Sequence, residues 1–179
     1  MSRAASTLLA LTAFAAVAYA SPVASREVAA VATDPLTVIL NLCLDLKAKI
    51  DAIISIMIDL DVKADISVYI GQIVVLVHAC VAALLKVGVV VDLSHKDHIA
   101  AIAHVCADII VSISGCVGVF ASILVNLTAC ITLDIAIQAW LVQLNLCVGG
   151  VLSVIAPLCV SITGTVNLAL TLVIALLGL

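Results

Sequence analysis

The chain has 179 residues, 66% of them hydrophobic and only 10% charged, with a formal net charge of −4. Ordinary soluble domains run at roughly 45–50% and 25%, so this chain has the length of one domain and more apolar surface than such a domain needs for its core. Seven Lys and Arg against eleven Asp and Glu provide no basic patch, which argues against a nucleic-acid partner. A mean hydropathy of +1.44 points instead toward membranes or apolar surfaces.

Residues 1–20, MSRAASTLLALTAFAAVAYA, place Arg3 before an apolar run and end on Ala18-Tyr19-Ala20 ahead of Ser21-Pro22. That order matches a charged n-region, an h-region and an A-x-A cleavage site, so 1–20 is expected to be a signal peptide rather than a membrane anchor. Residues 21–34 are expected to form a flexible N-terminal tail, leaving 35–179 as a single helical domain.

The first element poses a choice. Every even position from Leu36 to Ile70 is apolar and most odd ones are polar, which is strand periodicity. A strand of that length would stretch roughly 100 Å, far beyond ordinary strands. The helical reading explains the same residues. Ile39, Leu42, Leu46, Ile50, Ile53, Met57 and Leu60 make one stripe, with Thr37, Asn41, Asp45, Lys49, Ser55, Asp59 and Lys63 opposite. Asp45/Lys49, Lys47/Asp51 and Asp59/Lys63 are i, i+4 pairs of opposite sign. Asp34-Pro35 supplies an N-cap and a first-turn proline. Helix is preferred, while the alternation leaves an aggregation-prone pattern should the helix open.

Asp65 caps a second helix expected to run through about Val91, and VDLSHKDH at 91–98 reads as a loop. Ser94 and Asp97 have capping-box spacing for a third helix from near Lys96 toward Leu124, with Ser114, Gly118 and Ser122 on a small-residue face. A fourth helix is expected from Leu127 to Val148, stopped by Gly149-Gly150. A last apolar stretch runs from Val151 to the end, interrupted at Pro157 and Gly164. The fold class is all-α: a bundle of four to five long hydrophobic or amphipathic helices, expected to be disulfide-linked.

All seven cysteines, Cys43, Cys80, Cys106, Cys116, Cys130, Cys147 and Cys159, follow the leader. In an oxidising compartment each is a disulfide candidate, and the odd count leaves at least one unpaired. Connectivity stays open, except that Cys106 and Cys116 on one helix lie about 15 Å apart and cannot join. Several can equally be small buried hydrophobes. Asn126-Leu127-Thr128 is a glycosylation sequon at Asn126.

Catalytic chemistry finds no foothold. Asp92, His95 and His98, with His104 and Asp108 beyond, can be drawn as a metal site, but a solvated loop and helix cap account for them better. Neither a metal nor a cofactor is expected, and no catalytic residue is assigned. His78, Lys86, His104, Asp108 and Asp134 interrupt apolar helices, either on wet faces (the preferred reading) or as paired groups inside the bundle.

The leader, the short chain, the Leu/Ile/Val/Ala-dominated helices and the scattered cysteines together resemble small secreted fungal proteins of hyphal walls and hydrophobic surfaces. The likeness covers the whole chain but lies in composition and layout. True hydrophobins carry eight cysteines with two Cys-Cys doublets, whereas this chain has seven and no doublet. The resemblance implies attachment, coating or aerial growth at cell walls, and no site residues.

The leading expectation is therefore a non-enzymatic, secreted, amphiphilic structural protein of the extracellular space or cell wall. Its partners would be hydrophobic surfaces, lipid or cell-wall components, and copies of itself. The runner-up is a multi-pass membrane protein with spans at 66–85, 99–125, 127–148 and 151–179. A soluble lipid carrier ranks third.

Overall fold

In the computed structural model, the structure describes residues 34–59, 66–90, 94–120, 127–161 and 170–179. The expected leader, the tail up to residue 33, Lys63, Asp65, Asp92, Ser122, Asn126 and Gly164 lie outside them. The elements in chain order are α1 (Pro35–Asp59), α2 (Ile66–Val87), α3 (Lys96–Phe120), α4 (Leu127–Cys147), α5 (Val151–Leu158) and α6 (Thr171–Leu177). All of them belong to one unit, Thr33–Leu179. The expected all-α bundle is present, with four long helices and two short ones among the described residues.

Helix wins over strand at α1 for the reasons that its ends and flank supply. Asp34 Oδ1 accepts the Leu36 backbone N–H at 3.3 Å, and Oδ2 accepts the Thr37 hydroxyl at 3.2 Å, so the N-cap is made. Lys47–Asp51 and Lys49–Asp45 both close at 2.7 Å along the flank. The buried stripe runs through Leu36, Ile39, Cys43, Leu46, Ile50, Ile53, Ile54 and Met57. It is rotated slightly from the expected one, with Cys43 fully buried and Leu42 only half-buried. α1 packs against both α2 and α3, and Cys43 faces inward to meet Cys106 of α3.

Successive helices alternate in direction, so α1 is parallel to α3 and α2 to α4. At one end His98 Nδ1 of α3 lies 3.2 Å from the Asp34 carboxylate that caps α1. At the other end of the second pair, the Val90 N–H that follows α2 donates to the Cys147 carbonyl of α4 at 2.9 Å. Gly88, at φ 76, makes the turn that brings Val90 there. Side by side the order is α3, α1, α2, α4, and α5 and α6 close the ring between α4 and α3.

The C-terminal stretch fills that closing position as two short helices. Gly150, at φ 82, caps α5 after the glycine stop. Pro157 lies in its last turn, and the chain leaves through a tighter turn in which the Cys159 N–H donates to the Ala156 carbonyl at 3.1 Å. α5 and α6, at eight and seven residues, are each far short of the ~20 needed to cross a bilayer.

The short α6 lacks a capping side chain of its own at Leu170. Asp134 on α4 provides the cap from 38 residues away, its carboxylate accepting the N–H groups of Leu172 at 2.8 Å and Val173 at 3.1 Å. Asp134 is buried. The preferred wet-face reading is thus overturned for Asp134, because a helix N-terminus replaces the water it gives up. His78, Lys86, His104 and Asp108 do lie on exposed faces.

Candidate functional site

Two features stand out from the generic bundle: an outer face almost without charge, and a layer of thiols at the core. Each comes from the way the ring sorts its helices.

The ring puts α1 beside α3 and α2 beside α4. The exposed side of the first pair carries Asp45, Lys49 and Asp59 on α1, then Lys96, Asp97, His104 and Asp108 on α3. The second pair is different. Val68, Val75, Leu85 and Val89 are exposed along and just beyond α2, and Ile131, Ile135, Val142 and Leu146 along α4. Val75 is 67% exposed and Val89 73%, values unusual for side chains of this size. Among the described residues, Lys86 in the last turn of α2 and the exposed His78 in its middle are the basic groups on this side, and the carboxylate of α4 turns inward. Two hydroxyls, Thr132 on α4 and Ser153 on α5, are turned onto their own backbone. Thr132 Oγ1 donates to the Thr128 carbonyl at 2.9 Å, and Ser153 Oγ to the Gly150 carbonyl at 2.6 Å. Hydroxyls satisfied in this way present little polarity outward.

Three helices are long and apolar enough to cross a membrane by length and composition: 66–87, 96–118 and 128–147. Their burial does not follow their hydropathy. The α2 window is the most apolar, with a mean hydropathy of 2.3, yet only 28% of it is buried, against 50% for α3 at 1.9. Core formation alone would have put the most apolar helix deepest.

The second feature crosses the ring at mid-height. Cys43 of α1 and Cys106 of α3 are fully buried, and the Cys106 thiol approaches the Cys43 sulfur to 3.9 Å. Cys80 of α2 and Cys159 at the end of α5 are close enough to act electrostatically on Cys106. Trp140 of α4 completes the layer, its fully buried indole beside the Cys80 thiol. The indole Nε1 has no well-formed hydrogen bond of its own there. Burial drives these thiols away from ionisation: Cys80 is pushed up to about 12, Cys159 to about 11, and Cys106 well above its ordinary value.

The remaining sulfurs are dispersed. Cys116 rests on the Met57 thioether at 4.0 Å, and burial raises its thiol to about 11. Cys147 donates to the Leu84 carbonyl at 3.5 Å and accepts from Gln143 Nε2 at 3.6 Å. Cys130 is buried near the start of α4. All seven cysteines are unlinked thiols in this structure.

Other sequence candidates do not assemble. His95 and His98 approach with ring centroids 5.6 Å apart, and His98 turns to Asp34. Among the described residues no three His, Cys, Asp or Glu gather as a metal site. Among the described residues, three clefts lie on helix seams. One of about 200 Å³ separates α1 from α2 around Leu42, Lys49 and Ala83, one of about 460 Å³ lies between Ile53 and Val75, and one of about 380 Å³ lies between Ile58 and Val111. All three open to solvent along a seam.

The apolar outer face escapes a residue-by-residue reading because it depends on which helices become neighbours. One signal pointed to it: residues 135–179 contain no Asp, Glu, Lys, Arg or His. No known family model matches the chain, and comparison with curated proteins and with solved structures likewise finds no match.

Proposed function

We propose that the chain is a secreted, surface-active structural protein that adsorbs through the outer face of α2 and α4. The observation carrying this reading is the sorting of charge: apart from the inward Asp134, the described carboxylates and ion pairs lie outside α1 and α3, whereas outside α2 and α4 eight large aliphatics are exposed and the described basic groups are His78 and Lys86. Apolar area returns about 25 cal/mol per Å² when removed from water, so a face of this kind gains by meeting an air–water, waxy or lipidic boundary. The charged pair then keeps the opposite side hydrated. Coating, attachment and self-association at cell walls follow from that geometry, in line with the resemblance to fungal surface proteins. The function needs no catalytic residue, cofactor or nucleic acid. Disulfide linkage of the bundle belongs to the same reading, since the leader delivers the chain to an oxidising compartment.

A multi-pass membrane protein is the competing reading, favoured by the three helices of spanning length. Asp108 weighs against it. This carboxylate is exposed on α3 in the middle of the 96–118 window, where lipid would meet it directly. Fractionation with an alkaline carbonate wash decides between them. Release to medium or wall, together with a fall in surface tension as purified protein adsorbs, supports the surface-active reading. Retention in washed membranes until detergent is added overturns it.

A further inference from the structure

We infer that Cys43 and Cys106 form a redox pair whose oxidation links α1 to α3 across the core. Their sulfurs are in contact at 3.9 Å, 63 residues apart in sequence, on two helices that pack side by side. The other sulfur contacts in the bundle lead elsewhere: Cys116 to a thioether, and Cys147 to a carbonyl and an amide. Cys80 and Cys159, whose thiols act electrostatically on Cys106, are the natural competitors for the pairing. A disulfide needs its sulfurs at about 2.05 Å, so the pair must close from the 3.9 Å of the reduced state.

The step balances as a thiol–disulfide exchange with a disulfide oxidant, either oxidised glutathione or a protein oxidoreductase. One thiol loses its proton and attacks the oxidant, forming a mixed disulfide and releasing a first thiol. The second cysteine then displaces the remaining half, forming the Cys43–Cys106 bond and releasing a second thiol. Two electrons pass from the pair to the oxidant, and the two protons leave on its reduced halves.

Both sulfurs are fully buried, so the oxidant meets them before the bundle closes or when it opens. Oxidation of the folded chain should therefore be slower than oxidation during refolding. The oxidising compartment rests on the secreted reading proposed above; the pairing rests on the geometry alone.

The deciding experiment uses purified chain, reduced in guanidinium and refolded in a buffer of reduced and oxidised glutathione. Free thiols are then blocked with iodoacetamide, and the protein is digested and mapped by mass spectrometry without reduction. A dominant peptide joining Cys43 to Cys106 is the expected result. A dominant link of either residue to Cys80 or Cys159, or alkylation of both Cys43 and Cys106, overturns the inference. As a second readout, wild type and the C80S variant should each melt at a higher temperature oxidised than reduced, and C43S should lose that difference. A difference retained in C43S overturns the pairing even if that variant is less stable. Because the redox buffer replaces the cell, a chain that proves not to be secreted can still pass this test, and the two readings fail separately.

Discussion

The pair α1–α3 and the pair α2–α4 do the same work inside the ring and opposite work outside it. Each is a parallel pair of long helices, and each places a continuous apolar stripe in the core. Outside, one pair carries ion pairs and carboxylates, while the other carries Val75, Leu85, Ile135 and Leu146. Folding demands only the inner half of each helix, so the difference between the outer halves reflects what each side meets after folding.

The comparison breaks most sharply if the apolar side is made wet. Val75→Asp combined with Ile135→Asp should cost about 3 kcal/mol or more of adsorption free energy, counting two aliphatic contacts. Surface tension should then stay near that of buffer while circular dichroism still reports helix. The matched double substitution Ala48→Asp and Ala52→Asp, on the exposed face of α1, should leave adsorption nearly unchanged. Equal losses from both doubles would mean that the two sides do not differ in role.

A smaller effect should come from the one carboxylate that α4 turns inward. Asp134→Ala leaves two N–H groups at the start of α6 without their acceptor, a loss of about 2 kcal/mol. Amide exchange at Leu172 and Val173 should accelerate first, because these are the groups that Asp134 holds. Unchanged protection there would show that α6 does not depend on this cap.

On the wet side, acid should loosen the start of α1. Desolvation is the largest single influence and opposes the charge on Asp34, but hydrogen bonds from the Leu36 N–H, the Thr37 hydroxyl and the Thr37 N–H, together with the nearby His95, outweigh it and hold the carboxyl below the ordinary 3.8. A carboxyl depressed by folding stabilises the native state above its unfolded pKa and loses that contribution as pH falls through the folded value. The melting temperature should therefore drop further below pH 3.8 for wild type than for Asp34→Ala. Parallel pH curves would remove the cap from the account. The smallest effect is expected at Lys47–Asp51, a half-exposed i, i+4 pair worth about 0.3 kcal/mol and less in salt. Lys47→Ala should shift the melting temperature by about a degree or two, and less so at high ionic strength.

Local signals made most of the fold legible. Asp34-Pro35, the two ion pairs and Gly149-Gly150 mark helix ends and flanks by chemistry that acts within a turn or two, and the structure places α1 and α4 within a residue of where they point. What stayed hidden depends on distant neighbours. Cys43 rather than Leu42 lies in the buried stripe, where it meets Cys106 of α3. The inward turn of Asp134 is fixed by a helix start 38 residues on, which no periodicity can register. The contrast between outer faces was half legible: the charge-free C-terminal quarter was plain, but the placement of α2 beside α4 was not.

The exposed aliphatics of α1 have a consequence of their own. Leu44, Ile56 and Ile58 stand in solvent on the wet side, where a bundle has no use for them. All three fall on even positions, the face that an extended α1 would make wholly apolar. In the helix they are strays; in a strand they would align with Leu46, Ile50 and Ile54 as one row. The same segment is thus written for two partners, the neighbouring helices of its own bundle and the opened segments of other copies. Which partner wins is a matter of concentration. Dilute chain returns to the bundle, whereas chain crowded and opened at a boundary has the pattern for stacking into sheet. If the chain acts at boundaries as proposed, a film of it would then be slow to dissolve back into folded monomers.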